Sequence, residues 1–338
     1  MMRGTRALAV AAVLTIFPAG CGVWPQQPTP SAQGTRLPRA LVNYQPPRAY
    51  DVTPLIHPAR KYYGVAVPNL LSSLQSLDEY AALVGKHPNL TELYASWGDR
   101  FPGNLTKELW DAGTMLYIAI EPDRRQNIPD IISGADDGYI RQYADAIRSL
   151  NLPVAFSFAH EMNGYWAPWG PKYVTPEEFV AAWRHIHEIF VATGATNVIW
   201  VWSPNQIGIV TGNIPLRAYW PGDSYVNWVG LVGYYGQDQQ FTFAGLFGPT
   251  VAEVRTFTNA PVLLAETGAP PGASKPAAMT DLFTAIARRS GVVGFIWFDY
   301  RKSGKFEGDW RVNSGPESLA TFKEDSANLL FGFDVRHP

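Results

Sequence analysis

The stretch Pro153-Val154-Ala155-Phe156-Ser157-Phe158-Ala159-His160-Glu161-Met162-Asn163-Gly164 joins an apolar run to a polar segment. Val154 to Phe158 is short and apolar on both faces, which is typical of a strand buried in a parallel sheet. Asn163-Gly164 is typical of a turn. The stretch therefore predicts a buried strand that ends in a loop carrying Glu161.

A second stretch has the same design. Pro261-Val262-Leu263-Leu264-Ala265 is followed by Glu266 and then by Thr267-Gly268. For one glutamate at a strand end, a structural salt bridge is the common explanation, but two such motifs favour a shared site. They lie 266 − 161 = 105 residues apart, or about three βα units of roughly 30 residues each.

Working outward from these two strands, eight short runs alternate with helix-like stretches, as in a parallel sheet covered by helices. The runs are Tyr63 to Val67, Glu92 to Trp97, Met115 to Ile120, Val154 to Phe158, Asn197 to Trp202, Trp228 to Val232, Val262 to Ala265 and Gly294 to Phe298. Eight units predict a single-domain (β/α)8 TIM barrel, with a doubly wound sheet plus an extra lobe as the alternative. In a barrel the carboxyl ends of all strands meet on one face, so distant glutamates can share a pocket.

The stretches between the runs show helical spacing of apolar residues. The predicted helices are Leu74 to Val84, Tyr139 to Leu150, Pro176 to Thr193, Phe243 to Thr258 and Lys275 to Arg289, with a weaker one near Leu105 to Ala112. Thr175-Pro176-Glu177-Glu178 has the residues of a helix start. The segment between Trp202 and Trp228 is mostly loop and is expected to fold over the pocket face.

The amino terminus has the layout of an export signal. Arg3 and Arg6 precede an apolar run of about 11 residues, too short for a membrane span, which needs roughly 20. We assign residues 1–20 to this signal. Ala19-Gly20-Cys21 resembles a bacterial lipobox, which makes Cys21 a lipidation candidate, although Pro18 departs from the usual aliphatic residue. Simple secretion and an uncleaved anchor are the alternatives.

Residues 21–59 are rich in Pro and Gln and predict a tether and amino-terminal extension, and residues 60–338 predict the catalytic domain. Cys21 is the single cysteine of the chain, so the folded part has no disulfide and depends on its core. An exported protein of the bacterial envelope, either lipid-anchored or secreted, is expected. A monomer is expected, with no cofactor and no membrane contact other than the lipid.

Composition limits the class of partner. A net charge of −2 gives no basic stripe for phosphates, which argues against nucleic acid. Aromatic residues make up 13% of the chain, including 12 Trp. Aromatic faces stack on sugar rings, so the composition favours a neutral carbohydrate polymer, although most of these residues are expected to be core residues.

Two carboxyl groups suit the cleavage of a glycosidic bond, because one protonates the leaving oxygen and the other acts on the opposite face of the sugar. A zinc site is disfavoured: after His160-Glu161, Gly164 stands where a metalloprotease motif has its second histidine. His185 and His187 are two residues apart on a predicted helix and cannot share a face, so we interpret them as surface histidines. No metal is expected.

A set of motifs in chain order resembles glycoside hydrolase family 26, the family of many bacterial β-mannanases, from about residue 62 to 314. The motifs are Gly64 to Pro68, Ala95 to Gly98, Glu121-Pro122, Phe158 to Gly164, Gly194 to Asn205, Val229 to Tyr234, Ala265 to Gly268 and Ile296 to Phe298. The resemblance implies a retaining mechanism with Glu161 as acid/base and Glu266 as nucleophile.

The resemblance also implies the residues that bind substrate. His160 would bind the sugar at the cleavage point, Tyr234 would hydrogen-bond the nucleophile, and Trp297 would form the pocket floor. Trp166 would line the same region, and Glu121 and Asn205 are candidate rim contacts. Trp169 is either a sugar-stacking residue or a buried residue that fixes the loop.

Two positions depart from the family pattern. Ser157 stands where many relatives have Arg, and Val232 stands where they often have Asp. Losing a cation and a nearby anion together avoids leaving one buried charge unpaired, which would be costly. The pair of changes is therefore either a compensated swap or a sign of a different sugar preference.

The resting states of the two glutamates are expected to differ. Burial should raise the pKa of Glu161, and hydrogen bonds from Tyr234 should keep the pKa of Glu266 low. A bell-shaped pH profile would follow. A retaining enzyme also predicts carboxyl groups about 5 to 5.5 Å apart.

The sequence thus predicts an endo-acting β-glycoside hydrolase, with endo-β-1,4-mannanase first. Mixed-linkage β-glucan and β-1,3-xylan are the alternative substrates within the family. A polysaccharide-binding lipoprotein without turnover is the alternative of another class. A metal-dependent deacetylase or esterase lacks its motifs here. Endo and exo action are not separated by the sequence, because one loop can close a cleft.

Overall fold

The computed structural model describes residues 48–124, 127–208, 211, 214–302 and 308–338. The predicted export signal, Cys21 and the tether up to residue 47 lie outside these described residues. None of the helices in the described ranges has both the length and the apolar character needed to cross a bilayer.

Eight parallel strands form a closed barrel in which each strand pairs with the next and β8 pairs with β1. The strands are β1 (Tyr62–Ala66), β2 (Leu90–Ser96), β3 (Met115–Glu121), β4 (Val154–Phe158), β5 (Val198–Trp202), β6 (Trp228–Tyr234), β7 (Val262–Gly268) and β8 (Val292–Phe298). All eight predicted runs form strands. The closed barrel confirms the (β/α)8 prediction and excludes the doubly wound sheet.

Most of the helices connect successive strands on the outside of the barrel, while the first precedes β1 and the last follows β8. They are α1 (Thr53–Ile56), α2 (Gln75–Val84), α3 (Gly103–Asp111), α4 (Asn127–Ser133), α5 (Asp137–Leu150), α6 (Pro176–Thr193), α7 (Phe243–Leu246), α8 (Gly248–Val254), α9 (Lys275–Ala287) and α10 (Pro316–Ser326). The start of α6 is a capping box in which Thr175 and Glu178 exchange hydrogen bonds. Short 3-10 turns lie in the loop between β5 and β6.

Two features of the helices differ from the prediction. The helix predicted from Phe243 to Thr258 is divided at Phe247 into α7 and α8. Pro249 has no backbone N–H with which to continue the helical hydrogen bonds from α7, so a new helix begins at this point. The short helices α1 and α4 and the carboxyl-terminal α10 were not predicted.

The core has two layers that follow the alternation of strand residues. On β8, Ile296 and Phe298 pack in the barrel interior, whereas Phe295 and Trp297 pack against the surrounding helices. After β8 the chain forms a two-residue ladder of β9 (Arg301–Lys302) with β10 (Gly308–Asp309) at the carboxyl end of the barrel.

The amino-terminal end of the barrel is closed by α1. Leu55 is fully buried, its carbonyl accepts a hydrogen bond from Tyr62, and the carbonyl of Ile56 accepts one from Trp228. The compact unit that contains the barrel begins at Arg48, before residue 60, where the sequence predicted the domain to start.

Candidate active site

The two glutamates lie at the carboxyl ends of strands on the same face of the barrel. Glu161 lies three residues after the end of β4, and Glu266 lies two residues before the end of β7. Glu121 ends β3 and Tyr234 ends β6 on the same face. The barrel thus brings together residues that are more than 100 positions apart in the sequence.

The backbone at Glu161 is held in an unusual conformation. Glu161 has a φ of 55° and Ala159 a φ of 52°, in the left-handed region that costs a non-glycine residue roughly 1–2 kcal/mol. The amide of Glu161 donates a 2.6 Å hydrogen bond to the carbonyl of Ser203, which follows β5. This contact between neighbouring strand ends offsets the backbone strain and fixes where the side chain begins.

The carboxyl group of Glu161 has one donor on each oxygen. Asn205 Nδ2 donates to Oε1, and Trp166 Nε1 donates to Oε2 at 2.8 Å. Burial raises the pKa of Glu161, and these two hydrogen bonds act in the opposite direction. The direction agrees with the prediction, and it suits a group that has to hold a proton near neutral pH.

Asn205 supports Glu161 from a buried position and is not on the rim. Asn205 is 2% exposed. Its backbone N–H donates to Asn163 Oδ1, and its backbone carbonyl accepts from Asn163 Nδ2, both at 2.9 Å. Asn163 therefore joins the loop after β4 to the loop after β5. The expectation of a rim contact at Asn205 is wrong, because the side chain is directed at Glu161.

A β-bulge in β7 changes the direction in which the Glu266 side chain points. Leu264 pairs with Phe295 of β8 and Thr267 pairs with Trp297, so two residues of β7 oppose the single residue Ile296. The register with β6 shifts at the same point. Simple alternation would direct Ala265 inward and Glu266 toward the helices. The extra residue places both on the inner side, in the way that bulges redirect side chains beside active sites.

Both oxygens of Glu266 accept hydrogen bonds from tyrosines. Tyr234 donates to Oε1, as predicted, and Tyr94 of β2 donates to Oε2. Burial and the nearby Glu161 raise the pKa of Glu266 to about 8, although the hydrogen bond from Tyr94 acts to lower it. The expectation of a low pKa is therefore wrong, because desolvation and a neighbouring carboxyl outweigh the phenol donors.

His160 and Glu121 lie side by side next to the glutamate pair. His160 Nε2 is 3.9 Å from Glu121 Oε1, and the imidazole is packed between the rings of Tyr94 and Trp169. Burial lowers the pKa of His160 to about 4, so the ring is neutral at neutral pH. Glu121 is partly exposed, and burial raises its pKa. Both positions are compatible with contacts to a sugar.

The predicted tryptophans have different surroundings. Trp166 is 39% exposed beside Glu161, which leaves ring surface free for substrate. Trp169 is buried, and its Nε1 donates to the carbonyl of His160 at 2.7 Å, so it fixes the loop. Trp297 is fully buried and packs on Phe322 of α10. The prediction that Trp297 forms the pocket floor is wrong, because its ring lies on the helix-facing side of β8.

Aromatic residues that the sequence reasoning missed occupy the place predicted for Trp297. Phe298 faces the barrel interior one residue later, Tyr300 stacks on it at 4.4 Å between ring centroids, and Trp310 packs against Tyr234 and Phe298. Trp310 and Tyr300 are half-buried. Period-two alternation along β8 was a signal for Phe298, but nothing local indicated Trp310.

Neutral groups occupy the two positions that depart from the family pattern. Ser157 is fully buried and donates to Ser203 Oγ at 3.0 Å, and Tyr117 lies 2.9 Å from the same oxygen. Val232 packs in the apolar barrel interior. Ser157 and Val232 are themselves neutral and well packed, and both the compensated swap and a different sugar preference stay predictions.

Histidines and carboxylates do not form a metal site in the described ranges, where no group of three or more could hold an ion. His185 is partly exposed and its Nε2 lies 2.6 Å from Asp137. His187 packs between Trp200 and Tyr225 on the outside of the barrel.

The chain is similar to known glycosidases. The family model for glycosyl hydrolase family 26 matches residues 129–325, more than half of the chain. Endoglucanase H of Acetivibrio thermocellus is 31% identical over 266 residues, which cover 75% of this chain and 29% of that protein. Mannan endo-1,4-beta-mannosidase A and B of Caldalkalibacillus mannanilyticus is 24% identical over 206 residues, covering 56% of this chain and 37% of that protein. The chain thus spans about a third of the length of these relatives.

Solved structures show the same fold. A mannanase of Bacillus subtilis superposes with a TM-score of 0.59 at 18% identity, covering 79% of this chain and 85% of the other. A β-mannanase of Bacteroides ovatus gives a TM-score of 0.60 at 16% identity, covering 83% and 92%. At these identities the likeness concerns the fold. Together with the match to the family model and the 31% identical relative, it leads to one conclusion: this chain belongs to glycosyl hydrolase family 26.

Proposed function

We propose that this chain is a retaining, endo-acting β-glycoside hydrolase, with β-1,4-mannan as its first substrate, Glu161 as acid/base and Glu266 as nucleophile. One observation carries the proposal: the partly exposed Glu161 and the buried Glu266 place their carboxyl groups at the carboxyl end of one barrel, and each group has its own pair of donors. The names of several relatives and fold neighbours support mannan.

The reaction would have two steps. In the first, Glu266 attacks the anomeric carbon while Glu161 gives its proton to the departing glycosidic oxygen, which leaves as an alcohol. In the second, Glu161 takes a proton from water, the water oxygen forms a bond to the anomeric carbon, and Glu266 leaves as a carboxylate. Each cycle restores the starting protonation. The separation of about 5 to 5.5 Å between the carboxyl groups stays a prediction.

The productive form of the pair carries one proton. Below its lower apparent pKa both carboxyls are protonated and no nucleophile exists, and above its upper apparent pKa both are ionised and no acid remains. Since the pKa values of Glu161 and Glu266 are both raised, the bell-shaped window of activity is expected to lie at higher pH than for ordinary carboxyl groups.

β-Glucan is the second candidate substrate. The relative with 31% identity carries the name Endoglucanase H, and the neutral Ser157 and Val232 change the surroundings of the pair. A Beta-1,3-xylanase of a Vibrio species is 27% identical over 114 residues, so β-1,3-xylan is a third candidate substrate.

A substrate panel tests these candidates. Purified wild-type protein and Glu266→Ala are compared on mannan, glucomannan, galactomannan, lichenan and β-1,3-xylan, with sizing of the products. We expect release of short oligosaccharides by the wild type and none by Glu266→Ala, which should still bind them. If the wild type is as inactive as Glu266→Ala on all five glycans yet binds one of them, the protein is a binding protein and the proposal is refuted.

The retaining mechanism has its own test. In Glu161→Ala a small anion such as azide can enter the space of the lost carboxyl and attack the covalent intermediate. We expect azide to accelerate cleavage of a β-aryl glycoside by this variant and to give a β-glycosyl azide. An α-configured product would assign inversion instead.

We also propose that the chain is exported and carries a lipid on Cys21. The support is the sequence pattern of the first 21 residues. Mass spectrometry of the native protein from a bacterial host would show a diacylglycerol adduct on Cys21 as the new terminal residue. A mature protein without that mass would assign simple secretion.

A further inference from the structure

Glu92 is a buried carboxyl group to which the proposed mechanism gives no role. It lies on β2, is 3% exposed, and shares the inner face of the strand with Tyr94 two residues later. Its strand partners are Ala66 of β1 and Tyr117 of β3. Such a group costs several kcal/mol if it is ionised without a cation, so its presence calls for a physical reason.

The groups that face Glu92 are acidic or phenolic. They are Tyr94 of β2, Glu121 and Tyr117 of β3, Glu161 after β4, Glu266 of β7 and Tyr300 after β8. Burial comes first, and Glu266 second, among the causes that raise the pKa of Glu92 well above its ordinary value. No cation is among these groups. The neutral acid is therefore the stable form of Glu92.

Tyr94 connects Glu92 to the nucleophile. Its hydroxyl is 3.0 Å from Glu92 Oε2 and also within hydrogen-bond distance of Glu266 Oε2. A tyrosine hydroxyl has one proton to donate, so it can donate to only one of the two carboxyl groups. The other group has to donate to the hydroxyl oxygen, and only a protonated carboxyl can do so.

Since the proposed function requires Glu266 to be ionised, the proton belongs to Glu92. We propose that Glu92 is a positioning residue that, as a neutral acid, donates to Tyr94 and thereby directs the Tyr94 hydroxyl at Glu266. The order is Glu92 O–H to Tyr94 oxygen, then Tyr94 O–H to Glu266 Oε2. Successive hydrogen bonds of this kind polarise and strengthen each other.

The chain of hydrogen bonds gives the nucleophile a second fixed donor. With Tyr234 on Oε1 and Tyr94 on Oε2, each oxygen of Glu266 is held from a different strand. The arrangement fixes the rotation of the carboxylate and stabilises its charge. Because this inference rests on the proposed role of Glu266, its test includes a measurement that needs no substrate.

The kinetic test compares Glu92→Gln with Glu92→Leu. Glutamine is neutral and keeps a donor for Tyr94, so we expect Glu92→Gln to retain kcat within about threefold of the wild type. Leucine removes the donor, and we expect kcat to fall roughly 10- to 100-fold with a small change in KM. The acid limb of the pH profile should move up by about one unit in Glu92→Leu, because Glu266 loses stabilisation of its ionised form.

Glu253→Gln is the matched control, because the Glu253 carboxylate lies outside the barrel, where it accepts a hydrogen bond from the backbone N–H of Leu216. If Glu92→Gln is as impaired as Glu92→Leu, an ionised Glu92 is required and the proposal is overturned. Wild-type kcat and pH profile in Glu92→Leu would also overturn it. Circular dichroism shows whether each variant is folded.

Infrared spectroscopy provides the measurement without substrate, and it decides the question if Glu92→Leu does not fold. At about pH 7 the wild type should show the C=O band of a buried protonated carboxyl that is absent from Glu92→Gln and present in Glu253→Gln. Absence of this difference between the spectra would overturn the proposal. A wild type that shows this band but cleaves no glycan would refute the proposed function while leaving the neutral Glu92 in place.

Discussion

The indole Nε1 of Trp166 donates a 2.8 Å hydrogen bond to Oε2 of Glu161, five residues earlier in the same loop. The contact joins a half-exposed ring that can meet the substrate to the carboxyl group that would protonate it. Gly164 lies between them and has no room for a side chain, since a Cβ there would be 2.3 Å from the indole of Trp166. The Asn163-Gly164 turn is therefore what lets the loop fold back on Glu161.

Trp166→Phe tests this contact. The variant keeps an aromatic ring but loses the donor to the ionised form of Glu161, so the pKa of Glu161 should rise further. We expect the basic limb of the pH profile to move up by roughly half a unit to one unit, because Glu161 stays protonated to higher pH. Initial rates between pH 4 and 10 measure it. Trp183→Phe, which removes a bond to the backbone carbonyl of Tyr225 on the outside of the barrel, is the control.

Tyr234→Phe tests the donor on the other glutamate. Loss of the bond to Glu266 Oε1 destabilises the carboxylate, so kcat should fall about 10- to 100-fold and the acid limb should move to higher pH. KM should change little. Steady-state kinetics across pH measure both effects. Tyr139→Phe removes a surface hydroxyl bonded to the carbonyl of Asp99 and should leave the profile unchanged. An unshifted acid limb in Tyr234→Phe would contradict the assignment.

The pKa of Glu266 also makes stability depend on pH. It lies at about 8 in the folded chain against an ordinary value of 4.5, so the folded state binds more protons than the unfolded state between these values. The free energy of unfolding should therefore fall as pH rises through this window. Glu266→Gln removes the cost of ionisation, and we expect its Tm to exceed that of the wild type by roughly 2–4 °C at pH 8.

At pH 4.5 or below, wild type and Glu266→Gln should unfold at similar temperatures, because both carry a neutral group at this position. Differential scanning calorimetry at several pH values measures the comparison, with the exposed Glu108→Gln as control. A variant that is less stable than the wild type at pH 8 would show that the ionised carboxylate is stabilised in the fold.

Two tryptophan variants separate substrate binding from packing. Trp310→Ala should raise KM about tenfold, equivalent to about 1.4 kcal/mol of binding, with little change in Tm. Trp297→Ala should cost roughly 3–5 kcal/mol of stability, because it empties a fully buried site beside Phe322. Kinetics and thermal unfolding of both variants decide the matter. The reverse pattern would restore Trp297 as the pocket residue.

Strand and helix positions were predictable because they depend on local patterns. The run from Val154 to Phe158 is apolar enough to indicate a buried strand by itself, and Thr175 to Glu178 has the chemistry of a helix start. The break between α7 and α8 also had a local signal in Pro249. The short α1 and α4 have four and seven residues, too few to show a helical period in the sequence, and their stability comes from packing.

The site was less predictable because its details depend on register between strands. The bulge at Glu266 comes from how β7 pairs with β6 and β8, and no single strand shows it. The same limit applies to Tyr94, which is far from Glu266 in sequence and reaches it only across the barrel. For Trp297 the error was one residue of register, which moves a side chain to the opposite face of a sheet.

The crowding of Glu92, Glu121, Glu161 and Glu266 at one end of the barrel has a consequence for the sugars that can enter. A uronic acid next to the cleaved bond would bring a second negative charge beside the ionised Glu266 and would raise the pKa values of the neighbouring carboxyl groups further. Acidic polysaccharides such as pectin should therefore be excluded by their charge. Basic sugar analogues that carry a protonated ring nitrogen should be held more tightly than their neutral counterparts.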